Sequence, residues 1–174
     1  MKLDPDDSQN QAILAQVLLF RRRYDEAAFH NERALQLNPN DWLARSTYAS
    51  FLLYSGQAGA ALDQLNLVLK HDPYPPLWYW EIRGNALYQL GQYDEAVAAY
   101  HKMDKSQAWA HGYLAASYAM AGRMDDARRE IAAHRAVELP QNYHMGAWRQ
   151  SEPYRDQKML DHLLDGLRKA GLPE

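Results

Sequence analysis

The sequence contains no cysteine. That excludes disulfides, thiolate metal sites and a cysteine nucleophile, and it fits a reducing, cytoplasmic setting. It has little surplus of either charge: 19 Lys and Arg against 22 Asp and Glu leave a net charge of -3. A broad nucleic-acid footprint needs clustered cations, so no nucleic-acid partner is expected. No uninterrupted apolar run reaches the ~20 residues that span a bilayer, so no membrane partner is expected. The opening "MKLDPDD" is acidic and is not a secretory signal.

Motifs that carry chemistry are also missing. The nine glycines are turn-spaced or isolated, so there is no phosphate-cradling loop. Among the seven histidines, His30, His71, His101, His111, His134, His144 and His162, none forms the i, i+4 pair around a Glu that binds zinc on a helix. They read as scattered surface residues. The acidic pairs Asp94-Glu95 and Asp125-Asp126 stand at helix starts, where the helix dipole explains them better than acid–base work. Neither a catalytic residue, a metal site nor a cofactor is expected, and the chain reads as a non-enzyme.

What is present is apolar content, 47%, and a phrase written four times. "RRRYDEAAFHN", "SGQAGAALDQL", "LGQYDEAVAAY" and "AGRMDDARREI" are related. Pro5, Pro39 and Pro73 stand 34 apart. Ala27, Ala61, Ala96 and Ala127 step by 34, 35 and 31, and an upstream series, Ala15, Ala49, Gly84 and Ala115, repeats the same steps. Two independent series with one step define a structural unit.

Each unit reads as two helices joined by a tight turn. Gly56, Gly91 and Gly122 fall where the first helix ends, and glycine enters the left-handed conformation there without a side-chain clash. The small residues of the two series let paired helices approach, and Tyr93 with other tyrosines fills the space around them. All of these positions read as structural.

The 34-residue step, the small residue in the first helix, the turn glycine, the Tyr-Asp-Glu-Ala start of the second helix and the closing proline resemble the tetratricopeptide repeat (TPR). The third unit matches best, through Trp80, Gly84, Leu87, Gly91, Tyr93, Ala96 and Tyr100. The first departs at Arg22, where a turn glycine is usual. The resemblance implies an all-α, right-handed superhelical solenoid of helix-turn-helix repeats. Its divisions are 1–7, the tail of a preceding repeat; repeats at 8–41, 42–76, 77–107 (shortened) and 108–140; and a C-terminal extension with a capping helix at 141–174. "KLDP" before the first repeat matches "QLNP" at Gln36 to Pro39, so the chain is expected to start inside a longer array.

In such stacks the first helix of each repeat lines a concave face. Its inward stripe gives a candidate groove for a partner: Ser46, Ser50, Trp78, Glu81, Asn85, Tyr88, Trp109 and Tyr113. Aromatics beside polar groups suit a protein or peptide contact. The alternative is that Trp78 and Trp109 pack against neighbouring helices or under the C-terminal segment. The Lys, Asn and Arg set that clamps a peptide carboxylate in chaperone-docking repeats is absent, Asn85 alone matching in type.

The last segment, "DQKMLDHLLDGLRKAGLPE", reads as an amphipathic helix with Met159, Leu160, Leu163, Leu164 and Leu167 on one face. It either caps the stack or folds back into the groove. With "GLRKAGLPE" as its most specific phrase, the tail resembles the C-terminal repeat region of bacterial multidomain regulators, in which repeats follow a class III adenylate or guanylate cyclase or a DNA-binding domain. That resemblance implies a protein-interaction and scaffolding module of a bacterial signalling protein, whose partner is a protein, a peptide or an upstream domain of the same polypeptide. The other readings are a regulatory segment that modulates a cyclase and a homo-oligomerisation module.

Overall fold

The computed structural model describes residues 4–71, 74–103 and 108–174. Among these residues it is all-helical. The helices are α1 (Ser8–Phe20), α2 (Tyr24–Leu37), α3 (Trp42–Tyr54), α4 (Ala58–His71), α5 (Leu77–Gln89), α6 (Tyr93–Tyr100), α7 (Ala108–Met120), α8 (Met124–Val137), α9 (Met145–Ser151) and α10 (Gln157–Ala170). A short 3₁₀ turn, Pro140–Asn142, precedes α9. Pro73, of the 34-residue proline series, and Asp104 to Gln107, at the end of the repeat expected to be shortened, lie outside the described residues. Within them α6 has eight residues, where α2, α4 and α8 have 14 each.

The four helix reversals share one hydrogen-bond pattern, and it explains the repeated phrase. The amides of Arg23, Gln57, Gln92 and Arg123 donate back to the carbonyls of Leu18, Leu52, Leu87 and Tyr118, at 2.8–2.9 Å. This closing bond needs a left-handed residue just before it. Gly56, Gly91 and Gly122 supply it, with φ of 92°, 75° and 78°. Arg22 takes the same conformation at φ 58°, so the first turn keeps its shape without glycine. The helices α2, α6 and α8 open with acids in the first turn, Asp25-Glu26, Asp94-Glu95 and Asp125-Asp126, which complement the helix dipole. Elsewhere side chains do the capping. Asp41 accepts from the amides of Leu43 and Ala44, and Asp156 from that of Lys158.

The chain divides into two compact units. The first runs to Tyr79 and takes in Pro153–Arg155; the second comprises Trp80–Glu152 and Asp156–Glu174. In the first, α1 pairs with α2 and α3 with α4 over a core of small residues. Ala15, Ala27, Ala49 and Ala61 are fully buried, and Leu19, Leu53 and Leu65 fill the layers between. The Tyr79 hydroxyl donates to the Leu65 carbonyl at 2.9 Å. Tyr154 packs edge-on against Tyr54, with ring centroids 4.8 Å apart.

In the second unit α7 pairs with α8, and Ala96, Ala115 and Ala127 are fully buried. Gly84 shows the packing reason for a small residue most sharply. A Cβ there would stand 2.2 Å from the Tyr100 ring, closer than two carbon atoms approach. Tyr100 in turn stacks on Tyr113 (5.4 Å) and donates to Asn85 Oδ1 at 2.7 Å. His134 is fully buried, its Nδ1 2.9 Å from the Ala108 carbonyl and its ring beside Tyr143 and Trp148. Burial pushes its pKa below the usual histidine value, against the Ala108 hydrogen bond. The scattered-surface reading of the histidines is therefore corrected at this position.

Candidate functional site

The sequence-derived stripe divides between the two units, and its members differ in exposure. In the first unit, Ser46 and Ser50 are buried at 0% and 1% exposure. Ser50 Oγ lies 3.5 Å from Gln16 Nε2. Trp78 is half-buried, its ring centroid 6.0 Å from that of Trp42, which is 38% exposed. In the second unit, Asn85, Tyr88 and Tyr113 are buried at 3%, 1% and 2% exposure. Glu81 is half-buried, and Trp109 is 43% exposed.

Asn85 is buried against Tyr100 of α6, whereas Tyr88 and Tyr113 are covered by the C-terminal segment, which lies on α5 and α7. The Tyr88 hydroxyl donates to the His162 carbonyl at 2.9 Å, and Gln89 Nε2 donates to the Met159 carbonyl at 3.0 Å. The His162 ring sits 4.8 Å from that of Tyr88, with Nε2 3.0 Å from the Tyr93 hydroxyl. Leu160, Leu163, Leu164 and Leu167 are all but completely buried, each burial stabilising by roughly 1.5–3 kcal/mol before ordering costs. Gly166 lets α10 come this close. A Cβ there would meet the Tyr88 hydroxyl oxygen at 2.2 Å and Ala116 Cβ at 3.1 Å. In the second unit the last helix is thus seated on Tyr88 of α5 and Ala116 of α7.

The short helix α9 adds a second contact. Gly112, in the middle of α7, leaves a notch filled by the Trp148 indole; a Cβ on Gly112 would stand 2.2 Å from Trp148 Cζ2. Tyr113 meets the same indole edge-on at 5.2 Å and donates its hydroxyl to Glu152 Oε1 at 2.6 Å. Trp148, Glu152, Gly112 and Gly166 escaped the sequence reading, and His162, read there as a scattered surface residue, is half-buried against Tyr88 and Tyr93. The two glycines carried a usable signal: a glycine inside a helical pattern, far from any turn, marks a close approach.

Trp109 remains exposed on this face, with the half-buried Glu81 beside it. Trp109 Nε1 donates to Glu81 Oε2 at 3.1 Å. Burial, and next the Glu152 charge, push the Glu81 carboxyl up to about 7, while the Trp109 hydrogen bond pulls the other way. A carboxylate beside an open indole face can receive a cationic or hydrogen-bond-donating side chain. Among the described residues, no group of three His, Asp or Glu is disposed to hold a metal. No helix there is long and apolar enough to cross a membrane.

Comparison with known proteins agrees with this architecture. The family model described as "Anaphase-promoting complex, cyclosome, subunit 3" matches residues 20–103. The TPR repeat-containing thioredoxin TDX of Arabidopsis thaliana is 33% identical over 100 residues, 58% of this chain and 26% of that protein. The chain thus spans about a quarter of the length of this curated relative. Among solved structures, YrrB, described as a TPR protein with an unusual peptide-binding site, superposes with a TM-score of 0.62 at 18% identity, covering 95% of this chain and 85% of its own. MamA from Desulfovibrio magneticus RS-1 gives 0.65 at 17% identity, covering 94% of each chain. The fold is that of the tetratricopeptide solenoids.

Proposed function

We propose that the chain is a non-catalytic docking module that takes a peptide or protein segment on the inner helices of its repeats, divided at 8–41, 42–76, 77–107 and 108–140. One observation carries the reading. Trp109 stands 43% exposed on an inner helix with its indole nitrogen fixed by Glu81, an aromatic anchor beside an acid, of the kind that dominates protein contacts. The unusual peptide-binding site ascribed to YrrB, which shares the fold, supports the same use of it here. The test is capture of cytosolic partners by wild type and by Trp109→Ala. Loss of the captured bands with unchanged helicity is expected; equal capture by both sinks the assignment. Trp109 suits this test better than Tyr113, because truncating a buried tyrosine opens a cavity and confounds binding with stability.

The module is read as part of a larger bacterial signalling protein, located in the cytoplasm, because its tail resembles the repeat region that follows cyclase or DNA-binding domains. A regulatory effect on an attached cyclase is the second reading. It is tested by comparing a cyclase domain with and without this segment fused, where unchanged output refutes it. Self-association has its own supporting observation: Ile13, Val17 and Phe20 line up on α1 at 46–51% exposure. Light scattering at two concentrations tests it, and a constant monomer mass refutes it.

A further inference from the structure

Within the second unit, α9 reaches α7 through few side chains; it is held otherwise to α10 and the end of the chain, with Arg149 3.6 Å from Asp161 and the Met145 amide on the Pro173 carbonyl at 2.8 Å. It has seven residues and buries Met145 and Trp148 alone. The turn before it, Pro140–Asn142, buries nothing. By contrast, α10 buries six residues. What α9 contributes to α7 is one indole in one notch. A glycine inside a helix costs ~1 kcal/mol against alanine, and Gly112 has no turn to make. The space it leaves for the Trp148 indole accounts for it. Four residues after Trp148, Glu152 accepts the Tyr113 hydroxyl. On the same inner stripe, Trp109 remains open with Glu81 against its indole nitrogen.

We propose that α9 is an internal ligand of the second unit, and that a partner docks by displacing it. The partner presents an indole to the Gly112 notch and a carboxylate, four residues later, to the Tyr113 hydroxyl. The occupant is therefore a short helical peptide of the pattern Trp-x-x-x-Glu or Trp-x-x-x-Asp, the pattern of Trp148 to Glu152 itself. This rests on the docking reading above and supplies its site and its ligand chemistry. The chain's own segment holds the site at high effective concentration, because the linkage is covalent. Partner binding is weakened by that competition and strengthened wherever the segment is loosened.

The test uses a fluorescent peptide with the sequence of Tyr143 to Glu152, added to the full chain and followed by anisotropy, with circular dichroism to verify folding. Trp148→Ala is expected to bind it at least tenfold more tightly than wild type. Adding Gly112→Ala, which fills the notch, is expected to reverse that gain, and a peptide whose own Trp is replaced by Ala is expected not to bind. Equal affinity in wild type and Trp148→Ala, or no binding to either folded protein, overturns the proposal. Should Trp148→Ala lose helicity, Trp148→Phe takes its place, with a gain of at least threefold expected and equal affinity again overturning it. Failure here is distinct from failure of the docking reading, which is decided by partner capture with Trp109→Ala, a change outside the notch.

Discussion

Replacing Glu81 by Gln keeps the side chain's size and an oxygen to accept the Trp109 indole proton, and removes only the charge. The carboxyl is raised from 4.5 to about 7, first by burial and then by Glu152. A group whose folded pKa lies above its unfolded value binds its proton better when folded. The stability it contributes is complete below pH 4.5 and is lost as the pH rises through 7. Each tenfold change in proton affinity corresponds to ~1.4 kcal/mol, so the charged form costs up to about 3 kcal/mol at pH 8. The side chain is half-buried, and solvent screening brings the expectation to roughly 1–3 kcal/mol. Urea unfolding followed by circular dichroism at pH 5, 6, 7 and 8 measures this directly. Relative to wild type, Glu81→Gln is expected to gain about 1–3 kcal/mol at pH 8 over its standing at pH 5. The acid limb is expected to survive in both proteins. Burial lowers the pKa of His134 and His162, so the stability they contribute is lost as the pH falls below 6.5. A wild-type-to-variant difference that stays constant from pH 5 to 8 refutes the claim that Glu81 is a destabilised carboxylate.

Other substitutions separate packing from backbone effects. Gly166→Ala drives a Cβ into the Tyr88 hydroxyl and is expected to cost about 1–3 kcal/mol by urea unfolding; Tyr88→Phe in the same chain relieves the clash and should recover part of that loss. Gly91→Ala has nothing within 4 Å of the new Cβ, so its cost, about 1 kcal/mol, comes from the positive φ alone, and Gly91→Asn should cost less. Tyr100→Phe removes the donor to buried Asn85 Oδ1 and is expected to destabilise by about 1–3 kcal/mol, whereas Trp109→Ala, at an exposed position, should change stability by less than about 1 kcal/mol.

The helical fold was legible because it is written in local rules. The glycines at 56, 91 and 122 mark reversals by their backbone requirement, and the acids that follow mark helix starts. Arg22 shows the limit of reading by residue type. Its turn has the same hydrogen bonds as the other three, imposed by the helices on either side rather than by the residue itself. The candidate groove was less legible. Helical spacing placed Glu81, Asn85 and Tyr88 on one face, but no periodicity says what lies against that face. The tail meets the inner helices through distant pairings, such as Trp148 in the Gly112 notch and His162 against Tyr88. These depend on three-dimensional fit rather than on a repeat. The amphipathic stripe of α10 announced a helix needing an apolar surface and left open which surface that is.

The central claim is that the second unit's inner face is occupied by the chain's own C-terminal segment. Amide hydrogen exchange on the intact protein, read by mass spectrometry over the peptide 157–170, tests it most directly. Protection of these amides comparable to that of α7 is predicted, with exchange accelerated by Gly166→Ala. Exchange of 157–170 at the rate of an unstructured peptide, while α7 stays protected, would contradict it.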